Sequence, residues 1–445
     1  MEQGIRDDLD QYNHMTQEMA LSILKTGANV FLTGEPGSGK TYIINAYASY
    51  LRKSKIHFAV TASTGIAATH IGGMTIHSWS GIGIKKNLSS ADLSRIASNK
   101  SIIQRVKKTR ILIIDEISML DGNTLGLVEL VCRKIKGLDL SFGGMQIVLV
   151  GDFFQLPPVA REEGVVPQFA FESPAWLGAG LTVCYLSEQH RQADLKFLDL
   201  LSSIRSGAVA ADHQKYLNDR LVDYSLIKNK SITKLFPHNE NVDRLNSEEL
   251  EKLDGQLQTF LMEGRGKDFL MDQLKRSCLS PEILNLKIGA LVMFTKNNFE
   301  DGFVNGTLGI VIGFNGEDCY PIIKTRDGKK INVLPMEWTI EDGEEVLARI
   351  RQLPLRLAWA ITIHKSQGLT LDEAFMDLRD VFIEGQGYVA LSRVKSLERL
   401  YLAGYNDKSL LVHPLVLDQD KLFRQASGKI EAMPIVPGGK MKKKS

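Results

Sequence analysis

The chain has 445 residues, and 54 Lys plus Arg against 52 Asp plus Glu leave a formal net charge of +2. That balance excludes a globally basic polyanion binder, so any nucleic-acid site must be local. Its 44% hydrophobic content suffices for packed cores in about two to four domains. Four cysteines, Cys132, Cys184, Cys278 and Cys319, stand far apart with no CxxC pair, which argues against zinc or a disulfide framework and for a reducing compartment. The opening MEQGIRDDLDQ is acidic and resembles neither a secretory signal nor a transit peptide, and the apolar runs stop well short of the roughly 20 residues that span a bilayer. These features predict a cytoplasmic protein without a membrane partner.

In chain order, the first predicted element is the helix MTQEMALSIL. Its Gln17 could read an adenine edge through the side-chain amide, although a lone helix glutamine is more often only solvated. The strand-loop-helix VFLTGEPGSGKT, Val30 to Thr41, follows and fits G-x-x-x-x-G-K-[ST] at every fixed position. Gly34, Gly37, Ser38 and Gly39 form a loop whose backbone N–H groups turn toward phosphate oxygens. Lys40 reaches the β/γ-phosphates, and the Thr41 hydroxyl ligates Mg²⁺. The alternative, a Gly-rich turn ahead of a helix, leaves the fit of strand, loop and helix unexplained.

Further on, TASTGIAA (Thr61 to Ala68) and TIHSWSG (Thr75 to Gly81) mix hydroxyls, His and an aromatic ring. Single-strand binding uses such mixtures, with phosphate contacts from backbone and hydroxyls and bases stacked on rings. RILIIDEISML then places Asp115 at a strand end, where it can hold Mg²⁺, with Glu116 as base for the attacking water. IVLVGDFFQLPPV, Ile147 to Val159, is a third buried strand running into Gln155, placed to sense a γ-phosphate or orient water. Its Phe154 and Pro157, with His77 and Trp79 upstream, are candidate DNA contacts; for Trp79 and Phe154 the competing reading is an ordinary core position.

The alternation of helices with β-branched runs from Thr16 to about Ala160 predicts one α/β domain. A second pattern runs from Thr182 to about Leu253 and resumes near Leu353 with PLRLAWAITIHKSQG, continuing to Tyr405. It supplies Arg191 in LSEQHRQAD and Arg393 in GYVALSRV, guanidinium groups of the kind that stabilise phosphoryl transfer, though surface arginines are common. Between its halves, short strands punctuated by Asn-Gly and Asp-Gly turns predict a small antiparallel barrel from roughly Leu284 to Trp338. In TIHKSQG, Thr362, His364, Lys365 and Ser366 are further single-strand candidates. After Gln425, Gly, Pro and a lysine run predict a flexible basic tail over 426–445.

With these residues in place, the chain resembles the PIF-type (petite integration frequency) DNA helicases, in the 5′ to 3′ branch of superfamily 1, with RecD a more distant relative. The resemblance rests on GEPGSGKT, TASTGIAATHIGGMTIHSWSGIG, DEISML, FGGMQIVLVGDFFQLPPV, LSEQHRQ, LAWAITIHKSQGLTL and GQGYVALSRVKS in that order, with LVELVCRKIKG as a distinguishing segment. It implies an α/β fold of two RecA-like P-loop NTPase domains: 1–181, with a small wedge element near 69–82, and 182–255 joined to 352–425, interrupted by a β-barrel insert, the domain called 2B, at 256–351.

It also implies ATP and Mg²⁺ as cofactors, with Gln17 near adenine, Lys40 and Thr41 on phosphate and metal, Asp115 and Glu116 on Mg²⁺ and water, and Gln155, Arg191, Gly368 and Arg393 completing the site. Thr64, Gly65, His77, Pro157, His364, Lys365 and Ser366 are implied along a single-stranded DNA path, and Ile71 to Ser80 near the wedge. Glu35-Pro36 departs from the small residues common in that loop, and the absence of a long N-terminal extension resembles bacterial or phage forms. The implied activity is ATP-dependent 5′ to 3′ unwinding of duplex, and by extension G-quadruplex, DNA in replication, recombination, repair or telomere maintenance, by a monomer. The polarity rests on resemblance alone. One alternative is a translocase or protein-displacing subunit without strong unwinding; another is a single-domain nucleotide kinase, which leaves TIHKSQG and GYVALSR without a role.

Overall fold

Strands covered on both faces read as unbroken apolar runs, and such runs build the first sheet. The computed structural model describes residues 15–64, 67–68, 74–83, 85–158, 168–187, 194–227, 232–298, 300–303, 305–316, 319–342 and 345–431. The sheet contains β1 (Val30–Gly34), β2 (Phe58–Ala62), β3 (Met74–Thr75), β4 (Ile111–Asp115), β5 (Gln146–Val150) and β6 (Thr182–Leu186), in the order β3-β2-β4-β5-β1-β6. Every pairing in it is parallel.

Alternate residues of the central strands enter opposite cores, as the period of two demands. Val30, Leu32, Ile113 and Val148 pack with Ile43, Tyr47 and Leu51 of the helix Lys40–Lys53. Phe31, Leu112, Ile147 and Leu149 pack on the other side, with Val128 and Cys132 of the helix Gly122–Lys136. Fully burying each such side chain is worth about 1.5–3 kcal/mol. Because β4, β5 and β1 are neighbours, the loops that leave their C-terminal ends emerge side by side: DEIS, GDFFQ and the glycine-rich loop.

The second sheet is also parallel, in the order β18-β7-β19-β20. β7 (Thr233–Phe236) precedes the insert, whereas β18 (Ala360–Thr362), β19 (Ala374–Leu378) and β20 (Leu400–Tyr405) follow it. The insert carries β8 (Gln258–Leu261), β9 (Glu263–Gly266), β10 (Ile283–Leu286), β11 (Leu291–Phe294), β12 (Leu308–Phe314), β13 (Pro321–Thr325), β14 (Lys330–Asn332), β15 (Met336–Asp342), β16 (Glu345–Gln352) and β17 (Leu355–Leu357). Among the described residues they form three antiparallel sheets: β10-β8, β14-β13-β12-β11-β17 and β15-β16-β9. The largest has five strands, with two smaller companions.

Three expected boundaries move. β6 pairs with β1 along its whole length, so the first domain runs past residue 181 through Leu186. β17 pairs with β11, so Leu355–Leu357 belongs to the insert rather than to the second α/β domain. The helix Pro414–Glu431 extends beyond residue 425, where a flexible tail was expected, and packs back on the first domain. There Ser427 Oγ accepts the Tyr185 N–H at 3.1 Å, and the Phe423 ring lies 4.8 Å from Phe31. The rest of the expected tail, 432–445, lies outside the described residues, as do residues 69–73 of the expected wedge; its remainder is β3 and the short helix Ile76–Ser80.

Candidate functional site

The glycine-rich loop turns through left-handed backbone, with φ of 91° at both Gly37 and Gly39, and delivers Lys40 to the first turn of its helix. The Lys40 ammonium donates to the carbonyls of Gly34 at 2.7 Å and Glu35 at 3.0 Å. Gln17 reaches the loop from the preceding helix, its Nε2 donating to Ser38 O at 3.2 Å, and a Cβ on Gly39 would collide with that amide. The Ser38 hydroxyl is buried with no hydrogen-bond partner among the described residues, an orphaned polar atom inside a loop shaped to take phosphate. Thr41 is exposed at the same helix end.

Across from the loop, β4 ends in Asp115, whose Oδ1 accepts the Glu116 N–H at 2.9 Å. Glu116 itself sits at φ 52°, ψ 46°, left-handed backbone that a non-glycine residue adopts at a cost. Ser63 Oγ holds that turn by donating to Glu116 O at 2.7 Å. Burial, and then the neighbouring Asp115 charge, push the Glu116 carboxyl up to about 7, against the pull of Lys40 and Arg393. Burial also raises Asp115, opposed by the Glu116 N–H and by Lys40.

This set of hard oxygen donors fits a divalent cation. Thr41 and Asp115 would hold Mg²⁺, which on binding supplies positive charge to phosphate oxygens. No group of three or more His, Cys, Asp and Glu gathers as a cage among the described residues.

Second-domain residues reach the same carboxylates. Gln367, from the turn after β18, donates its Nε2–H to Glu116 Oε2 at 3.1 Å. Arg393 is 1% exposed and reaches the carbonyls of Ser366 at 3.4 Å and Leu369 at 3.3 Å, on either side of exposed Gly368. Gln155 is buried beside Asp152, its Nε2 3.5 Å from Asp152 Oδ2 and its N–H donating to Asp152 O at 3.0 Å.

Asp152 in turn accepts Arg205 Nη1 at 2.9 and 2.7 Å, both partners being almost wholly buried. The Arg205 guanidinium also donates to Tyr388 OH at 3.1 Å and Tyr185 OH at 2.9 Å, and lies 4.1 Å over the Phe154 ring. Burial opposes its charge, and Asp152, Tyr185, Tyr388 and Glu35 together more than offset that. Nearby, Gly385 approaches the carbonyls of Phe154 and Gln155 so closely that a Cβ there would stand 2.8 Å from each.

The structure thus gathers Lys40, Asp115, Glu116, Gln155 and Arg393, and adds Asp152, Arg205, Gln367 and Tyr388. The Gly-Asp pair in VGDFFQ and the glutamine of TIHKSQG were signals for two of these. Arg205, a lone cation in FLDLLSSIRS, gave none. Arg191 and Gly65 lie outside the described residues.

The expected DNA contacts divide. Trp79 and Phe154, at 2% and 3% exposure, belong to the core and offer no ring face to a base, which corrects their reading as stacking residues. Thr362 and Ser366 are buried too, and their hydroxyls shape the turn: Thr362 Oγ1 accepts the Lys365 N–H at 3.2 Å, and Ser366 Oγ donates to Ile363 O at 2.7 Å. Thr64, His77, Pro157, His364 and Lys365 remain partly exposed. Burial and nearby His238 hold the His364 imidazole below its usual range.

This combination defines a P-loop ATPase in which a buried carboxylate, Glu116, is contacted from the second α/β domain as well as held by the first. A family model for PIF1-like helicases matches residues 9–215, and one for the DNA helicase Pif1 2B domain matches 269–314. The ATP-dependent DNA helicase Pif1 of Psychrobacter sp. (strain PRwf-1) is 44% identical, the alignment covering 93% of this chain and 71% of that protein. The crystal structure of Bacteroides sp Pif1 in complex with ADP-AlF4 superposes with a TM-score of 0.81 at 29% identity, covering 93% of this chain and 97% of that one. Bacteroides Pif1 bound to ssDNA superposes at 0.64, with the same identity and coverage. The chain belongs to the PIF1-like helicase family, whose named members are ATP-dependent DNA helicases.

Proposed function

We propose that this chain is an ATP-driven motor that moves 5′ to 3′ along single-stranded DNA and unwinds duplex ahead of it. The observation that supports this most is the 3.1 Å contact between Glu116, the carboxylate that would activate water, and Gln367 of the TIHKSQG turn. Lys40 and Arg393 supply charge toward the phosphates, Thr41 and Asp115 would carry Mg²⁺, and Gln155 senses the terminal phosphate; Arg191 is assigned the same phosphate role by resemblance. The path assigned to DNA runs along Thr64, His77, Pro157, His364 and Lys365.

A strand seated on the TIHKSQG turn would then act on the hydrolytic base through one residue. Directional movement follows if the nucleotide-bound and nucleotide-free states differ in affinity for the strand, since a ligand shifts an equilibrium only by its differential binding. The expected scope, with duplex and G-quadruplex DNA as substrates, a single copy as motor and the cytoplasm as its place, belongs to the same proposal.

The test is unwinding of duplexes bearing either a 5′ or a 3′ single-stranded tail, with ATP and Mg²⁺. Unwinding of the 5′-tailed substrate alone is expected. Activity confined to the 3′ tail would overturn the polarity, and DNA-stimulated ATP hydrolysis without unwinding of either would leave a translocase.

A further inference from the structure

Several deeply buried cations of this chain have a partner inside the protein. Arg205 has Asp152, Arg393 has backbone carbonyls, and Lys234 lies 3.9 Å over the Tyr224 ring. Arg356, at the centre of β17 and 9% exposed, is different: its Nε is buried without a hydrogen-bond partner, and its guanidinium makes no ion pair among the described residues. Lys365, one turn beyond β18, likewise has no ion pair for its ammonium among the described residues, and the two side chains line one cleft of about 480 Å³.

The cleft is the seam between the second α/β domain and the insert. Asp243 and Asn246 border it from the helix Asn239–Glu251, and Lys275 and Glu282 from the insert. Glu282 is taken up by Lys275 at 2.9 Å, and the Asn246 amide is spent on the backbone of Ala360. Asp243 is left as the carboxylate that draws on both cations. Burial lowers the proton affinity of each, and the Arg356 charge lowers that of Lys365 further. A buried Arg356 charge without an ion-pair partner is costly, and a second positive charge facing the same cleft compounds that cost. A group carrying negative charge in the seam would relieve it.

We propose that Arg356 and Lys365 together clamp a phosphodiester of a nucleic-acid strand in the seam between the second α/β domain and the insert. The assignment rests on the DNA reading above and extends the strand path from the TIHKSQG turn onto the insert. A planar guanidinium beside a mobile ammonium suits a phosphate, which the former grips by its donor fork and the latter by charge. With the Asn246 amide committed to backbone, this clamp holds any sequence.

The test is Arg356→Met, with binding of a fluorescent oligothymidylate measured across a salt series and thermal unfolding measured in parallel. Losing one single-strand phosphate contact should flatten the slope of log K against log salt by about 0.7. Affinity at low salt should fall about tenfold, while the melting temperature holds or rises because a buried unpaired charge is gone. Arg356→Lys should recover most of the slope.

An unchanged slope and affinity in Arg356→Met would overturn the clamp while leaving the helicase reading intact. A lower melting temperature with an unchanged slope would also overturn it, by making the guanidinium structural. Wild-type protein that binds no oligothymidylate would overturn the DNA reading and the clamp together. If inorganic phosphate stabilises the wild type but not Arg356→Met, and the oligothymidylate slopes match, the seam holds a free anion and the strand assignment falls.

Discussion

The glycine-rich loop and the junction around Arg205 differ in how they are built. The loop is local: strand, turn and helix are contiguous, and Gly37, Gly39 and Lys40 follow one another along the chain. The junction is assembled from remote pieces, with Asp152 after β5, Tyr185 on β6, Arg205 on the helix Leu195–Ser206, Tyr388 on the helix Gln386–Leu391 and Asp420 on the helix Pro414–Glu431. Binding phosphate requires only the first. Making hydrolysis depend on domain position requires the second, because only a network spanning both domains can differ between two arrangements of them.

The buried ion pair is where the two regions differ most. Arg205→Ala strips Asp152 of its partner inside the protein, so unfolding by denaturant should show a loss of about 3–5 kcal/mol. Replacing both partners with apolar residues, Arg205→Met with Asp152→Leu, should recover most of that stability, because paired burial of charge contributes little net free energy. DNA-stimulated ATP hydrolysis should stay low in the double variant, since the Gln155 amide has lost the carboxylate that holds it. Restored hydrolysis would reduce the junction to packing.

A smaller effect, on the loop side, concerns pH. In its proposed role as base, Glu116 would take a proton from water only when ionised, and its carboxyl is pushed up to about 7 from 4.5 by burial and Asp115. Below that value kcat/KM for ATP should fall about tenfold per pH unit, and above it level off. Gln367→Ala removes a donor to the ionised form, so the midpoint should move upward; an unmoved midpoint would show that the second domain does not reach the base. For folding the sign is opposite to that of an ion-paired acid. The proton is bound more tightly in the folded chain, so this group's contribution to stability is lost as pH rises through about 7.

What was legible in the sequence follows the same division. The glycine-rich loop, Asp115-Glu116 and the three strands behind them each lie within a few residues, where apolar runs and turn chemistry declare themselves. The extent of the first domain did not, because TVCYL reads as a strand but not as a partner of β1. The tail was misread for a related reason. Gly428 and Ser427 argue against a helix by propensity, and packing of Phe423 on Phe31 with Ser427 under Tyr185 outweighs that. Arg205 carried no sequence signal at all, because its partner Asp152 lies 53 residues away along the chain and meets it only in the fold.

The aromatic residues supply the finest test of that division, since sequence alone left Trp79 and Phe154 between core and strand. Trp79 is 2% exposed on a helix of five residues, and its buried indole N–H has no partner among the described residues. Trp79→Phe removes that unsatisfied donor and also removes packed volume, two effects of opposite sign that should leave unfolding within about 1 kcal/mol of wild type. A base stacked on the indole would contribute about 1–3 kcal/mol, and its loss would show as clearly weaker oligothymidylate binding. A core tryptophan predicts affinity within about twofold of wild type, and a tenfold loss at unchanged stability would return Trp79 to the strand path.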